Sequence, residues 1–192
     1  MVTPSLREGR TPWRLLLDST PGILRLVPVS RDHIEVAAID GFLEGSMMDI
    51  RWENYVWKEP RPVASSEVER LEAMWQVSLP GEFKRTVAAH QGMTPEPCVF
   101  KVGRGANVFS VLLTVTRDAD RASYSIQDSY DLIRSHVPSG IYPFGKTPSG
   151  EYLCFDYRGS APQPRIVLVT VEMSVLPVAN SFRELLEGLH DD

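Results

Sequence analysis

Four histidines are the first groups to weigh for chemistry, and they are scattered: His33, His90, His136 and His190. None forms a His-Glu-x-x-His pair, and no Cys-x-x-Cys accompanies them, so the sequence carries no zinc-binding or hydrolytic zinc motif. A nucleophilic serine would be marked by a Gly-x-Ser-x-Gly elbow, and none occurs. His90 is expected to cap or border a helix. Gly103-Arg104-Gly105 is half of a dinucleotide fingerprint, lacks the third glycine, and joins two strand-like segments, so it reads as a turn. Lys146-Thr147 lies near Gly145 and Gly150 without phosphate-loop spacing, and 146–150 reads as the loop of a hairpin. No cofactor, metal or catalytic set is expected.

The carboxylates Glu151 and Asp156 flank an apolar run, and their five-residue separation sends them to opposite faces of a regular strand. That is a poor geometry for paired acid and base. Asp156 shares a face with Tyr152 and Cys154, which leaves two readings: a strand-end aspartate accepting from backbone amides, or an acidic contact for a partner. Trp75 belongs to a helical apolar stripe. Trp52 and Trp57 either staple the entering chain to the fold or offer an aromatic anchor at an interface.

Residue periodicity supplies the elements that would hold these groups. Ser66-Glu67-Val68-Glu69 has the form of a capping box, and Val68, Leu71 and Trp75 continue it at helical spacing toward Val77. Pro80 is expected in the first turn of a second helix, whose buried face carries Phe83 and Val87 and whose stop is Gly92. Residues 99–102 and 107–115 read as a strand pair around a glycine-rich turn. Ile126, Tyr130, Ile133 and Val137 predict a third helix over 125–136. Residues 151–157 and 165–172 read as strands, the second central and covered on both faces. Ser181-Phe182-Arg183-Glu184 is another capping box, opening a terminal helix with Phe182, Leu185, Leu186 and Leu189 on its apolar side.

Ahead of this lies a different segment. Leu15-Leu16-Leu17, then Ser19-Thr20-Pro21-Gly22, then Ile23 to Val27 read as a hairpin, and Ile34 to Ala37 could add a third strand. Residues 1–47 are therefore set apart as an N-terminal extension, either a small β-hairpin module or a stretch upstream of a natural start at Met47 or Met48. Mass spectrometry of the native N-terminus decides between them. Residues 48–192 form the main domain.

Bulk composition is consistent with one sizeable core. The chain has 192 residues, 43% of them hydrophobic, and a net charge of −5. That charge argues against nucleic acid as the main partner, because backbone binding needs clustered Lys and Arg. No stretch approaches the roughly 18 apolar residues of a membrane span, and Asp18 ends the one N-terminal apolar run. Cys98 and Cys154 sit in apolar surroundings as buried thiols, with one disulfide between them as the alternative. A reducing cytoplasm is the expected location.

The order of these pieces resembles the SUKH superfamily, in the branch of the yeast cell-wall assembly and killer-toxin-resistance regulators, the Smi/Knr family. The matching residues are Trp57-Lys58-x-Pro60, Ser66-x-Val68-Glu69-x-Leu71-Glu72 and Leu79-Pro80-x-Glu82-Phe83-Lys84. Tyr142-Pro143-Phe144-Gly145, then Gly150-Glu151-Tyr152-Leu153-Cys154-Phe155-Asp156-Tyr157, follow in order. The strand from Ile166 to Glu172 and the closing Val178-Ala179-Asn180-Ser181-Phe182-Arg183-Glu184-Leu185-Leu186 complete the set. One departure is visible: the family closes its second helix with Asn-Gly-Gly, and this chain has His90-Gln91-Gly92.

The resemblance implies a single α+β domain, a mostly antiparallel sheet with helices packed against it, serving as a protein-binding scaffold. Bacterial members of this kind are immunity proteins that bind and neutralise a cognate toxin, a nuclease or deaminase. The other implied roles are a regulatory interaction scaffold like the yeast branch and, from the residues themselves, an enzyme using dispersed His and Asp. From Met48 onward the chain has 19 acidic and 15 basic residues, a balance that would steer a basic toxin domain toward it. The candidate partner-binding residues are Tyr142, Lys146, Glu151, Tyr152 and Asp156 on the hairpin, with Trp52 from the entering segment. No nucleic-acid or membrane partner is expected.

Overall fold

A computed structural model describes residues 50–159 and 163–191, together with two strands nearer the N-terminus. The chain divides into two compact units, residues 1–45 and 46–192. In the first, β1 (Trp13–Leu17) and β2 (Leu24–Pro28) pair antiparallel with Trp13 opposite Pro28 and Leu17 opposite Leu24. That is the pairing expected of the two apolar runs. The turn between them and the third strand proposed at Ile34 to Ala37 lie outside the described residues.

The second unit opens with β3 (Arg51–Asn54), α1 (Ser65–Trp75), α2 (Gly81–His90) and β4 (Met93–Glu96). It continues with β5 (Val99–Val102), β6 (Gly105–Val108), β7 (Val111–Leu112) and α3 (Ile126–Ile133). The last elements are β8 (Ile141–Lys146), β9 (Tyr152–Asp156), β10 (Arg165–Val169), β11 (Val175–Ala179) and α4 (Phe182–Glu187). Five strands form one antiparallel sheet in the order β11-β10-β9-β8-β7. β3 pairs with β4, and β5 with β6. This is the expected α+β architecture.

Burial explains why the sheet reads so apolar. All five residues of β9 are buried, as are the last four of β10, because both faces of these strands are covered. β9 is the middle strand and β10 lies next to it. Phe83 from α2 meets Phe144, Phe155 and Phe182 edge-on, with ring centroids 4.9 to 5.8 Å apart. All four rings are essentially solvent-free. Edge-to-face packing of this kind adds to the simple burial of apolar area. One helix, two strands and the terminal helix are thereby locked together.

Element ends depart from expectation in instructive ways. Ser181 caps α4 as its sequence predicts, accepting from the Glu184 amide at 3.0 Å, while Glu184 reaches back to the Asn180 amide at 2.9 Å. Ser66 does not cap α1. The buried Val63 donates its amide to the Ala88 carbonyl, which fixes the chain entry so that Ala64 is the N-cap and Ser66 already lies inside the helix. α1 stops at Trp75, where Gln76 turns left-handed, and Pro80 is the N-cap of α2 rather than a member of its first turn.

The run 107–115 is not one strand. After β6 the Phe109 amide binds the Cys98 carbonyl and the Ser110 amide binds the Lys146 carbonyl, so the chain changes partner from β5 to β8. β11 was not foreseen. Pro177 lies within it, and its pairing with β10 carries an irregularity between Ile166 and Val167. No disulfide joins Cys98 to Cys154, and of the two only Cys154 is buried as expected, Cys98 being half-buried. Burial pushes the Cys154 thiol well up.

At the turn after α2, Gly92 takes a φ of +73°, and a β-carbon there would stand 2.9 Å from the Trp57 ring. Both facts require glycine. Gln91, in the middle of the His90-Gln91-Gly92 turn, is 1% exposed and saturates its amide. It donates to the Arg61 carbonyl and Thr116 Oγ1, and accepts from the amides of Val115 and Thr116. This side chain ties the chain entering α1 to the segment after β7.

Candidate functional site

The outward faces of two helices and one strand enclose an open groove of about 610 Å³. On α2, Phe83 and Val87 are buried. That leaves Glu82, Arg85, Thr86, Ala89 and His90 on the opposite flank at i, i+3, i+4, i+7 and i+8, where they form one wall. On α4, Phe182 and Leu185 go inward, and Arg183, Leu186 and Glu187 form the facing wall. The floor and far end are apolar, from Ile50, Trp52, Pro60 and Met93. Arg183 and Glu82 pair across the rim and tie the two helices together.

Trp52 is the aromatic centre of this groove. The His90 imidazole stacks flat on it, centroids 5.1 Å apart and planes 7° from parallel, while Phe109 meets it edge-on at 6.4 Å. Burial holds the His90 pKa below its ordinary value, because the imidazolium would lose water. Among the described residues no hydrogen bond or ion pair joins His90 to a carboxylate. Trp52 thus fastens the entering chain and presents a half-buried ring to the groove. Trp57 is a fastening only, donating from Nε1 to Asp118 at 3.1 Å beneath the Arg61 guanidinium.

The hairpin candidates lie elsewhere, and their side chains point largely inward. Tyr142 is 9% exposed; its ring stacks on Trp75 at 4.5 Å and its hydroxyl donates to the Trp75 carbonyl. Tyr152 is buried, with the Lys146 ammonium 5.6 Å from its ring centroid and 5.7 Å from that of Tyr124. Glu151 accepts from Asn107 Nδ2 at 2.6 Å. Asp156 is 5% exposed and fully engaged by Arg158, which gives it two guanidinium bonds of 2.9 Å and a backbone amide at 3.0 Å. The Arg158 guanidinium holds the Asp156 carboxyl below the usual range. Of its two readings, Asp156 therefore takes the strand-end one, closed by its own neighbour.

Only Trp52 among the six candidates reaches the groove. Arg85, Ala89 and Arg183 carry no groove signal of their own, because such residues on the outer side of an amphipathic helix are indistinguishable from a solvated face, and Leu186, expected on the apolar side of its helix, is only half-buried and lines the groove. Their meeting depends on α2 and α4 packing side by side, a long-range event. Among the described residues no cluster of three or more His, Cys, Asp or Glu could hold a metal ion, and no helix is long and apolar enough to cross a membrane.

An antiparallel sheet under helices, with an open apolar groove between α2, α4 and β3, defines a small α+β class of domain. The chain belongs to the SMI1 / KNR4 family (SUKH-1), whose model matches residues 62–188, from the approach to α1 through the end of α4. No curated protein matches the chain. Ile50, Trp52 and Pro60, on the floor and far end of the groove, precede the matched span.

Proposed function

We propose that this chain is a non-catalytic immunity protein that binds a cognate nuclease- or deaminase-type toxin domain through the groove between β3, α2 and α4. The observation that carries the reading is the groove itself: an apolar floor centred on an aromatic ring, with charges of both signs on its rim, on a SUKH-type domain. Aromatic and Arg anchors in a partly desolvated recess are what binding hot spots are made of. The acidic balance of the unit supports a basic partner, because it raises the association rate of a cationic toxin.

The test is co-expression with the toxin encoded beside this gene. The chain protects the cells, and Ala89→Arg, which fills the groove from the exposed side of α2, abolishes protection while leaving the unfolding temperature within a few degrees of the parent. A toxin that kills equally with and without this chain overturns the assignment.

A further inference from the structure

Among the described residues, strand β3 is paired along one of its two edges. β4 takes that edge, with Arg51 opposite Glu96, Trp52 opposite Pro95 and Glu53 opposite Thr94. Among the described residues no strand or backbone hydrogen bond occupies the other edge. Alternation along the strand separates its side chains: Ile50 and Trp52 face the groove, while Arg51 and Glu53 lie together on the opposite face, both exposed. Neither Arg51 nor Glu53 has an ion pair among the described residues.

We propose that this open edge pairs antiparallel with the same edge of a second copy of the chain, with Trp52 of one copy opposite Trp52 of the other. Two-fold symmetry in that register sets Arg51 against Glu53 of the second copy and Glu53 against its Arg51, so both opposite-charge pairs form together. Extending each way to β4, the row on that face reads Glu96, Arg51, Glu53, Thr94, with attraction on both sides of Arg51. A slip of one residue would set each Trp52 against Glu53 or, in the other direction, Arg51 of the second copy, and no Arg51 would then face a Glu53, so the pattern favours a single register. A foreign strand would need no such internal complementarity, which is why the occupant is another copy.

Two further observations agree. Trp52 is half-buried within its own chain, and in this pairing the two rings lie opposite each other on the groove face, so that the two grooves open into one trough. At the far edge of the main sheet, Pro177 supplies no N–H, which makes β11 a poor alternative for adding strands. β3 lies ahead of the family-matched residues. The pairing does not depend on what the groove binds.

Sedimentation velocity and light scattering of the full chain over a concentration series test the idea. The parent dimerises. Arg51→Glu and Glu53→Arg, both at exposed positions, each turn two attractive pairs into two repulsive ones and weaken self-association by at least about tenfold. Mixing the two variants restores dimers as a heterodimer, and the double swap Arg51→Glu/Glu53→Arg restores a homodimer. A parent that is monomeric throughout, a dimer that Glu53→Arg leaves unchanged, or a failure of mixing to restore pairing overturns the proposal.

Discussion

The β8–β9 hairpin and the groove between β3, α2 and α4 are built on opposite principles. The hairpin is dense in chemically distinctive residues, yet nearly every polar group on it is answered from within: Tyr142 by Trp75, Glu151 by Asn107, Asp156 by Arg158. The groove is made of ordinary residues and leaves an aromatic ring and several charged ends facing outward. A motif rich in specific residue types therefore marks where the fold is held together, and the surface free to contact a partner is assembled from the flanks of helices that hold it.

The largest effect that separates the two regions is on stability. Phe155→Ala in β9 empties the centre of the aromatic cluster and should cost about 3–5 kcal/mol. Ala89→Arg in the groove wall should stay within about 0.5 kcal/mol, as exposed helix substitutions do. Urea unfolding of both measures the contrast, and comparable losses would erase it. A smaller effect sharpens the account of the hairpin: Tyr142→Phe removes the 3.2 Å bond to the Trp75 carbonyl while keeping the ring stack. It should cost about 0.5–1.5 kcal/mol, more than the same change at an exposed tyrosine such as Tyr55.

The smallest difference lies in pH. The pKa of His90 is lower in the folded chain than the ordinary 6.5, so the unfolded chain binds the proton more readily, and stability falls as pH drops through 6.5 toward the folded value. The pKa of Asp156 is also lowered, from an ordinary 3.8, so its stabilising contribution is complete above that value and is lost only as pH falls below it. The groove should thus weaken in mild acid and the hairpin only in strong acid. Unfolding midpoints between these two ranges, compared for the parent and His90→Gln, isolate the first step; an unchanged slope in the variant would remove His90 from it.

Legibility in the sequence follows the range of the interactions involved. The Ser181 cap, the Gly92 turn and the buried run of β10 could be read directly, because each depends on residues within a few positions of itself. The failed cap at Ser66 depends on Val63 being pinned to Ala88 across α2. The break between β6 and β7 depends on a change of strand partner, and β11 is visible only once β10 is in place to pair with it. The candidate site was the least legible part. Tyr142 and Tyr152 looked exposed because aromatic residues near a turn serve equally as surface anchors and as core, and only the packing of Trp75 and Lys146 over them tells which.

Pro177 has a consequence at the scale of assembly. A sheet with two receptive edges can grow without limit, each added copy exposing a fresh end for the next. At the outer margin of the five-stranded sheet, β11 carries an imino acid and an irregular register, which interrupts the row of donors a further strand would need. That margin therefore offers a neighbouring chain a poor template, even in a concentrated solution.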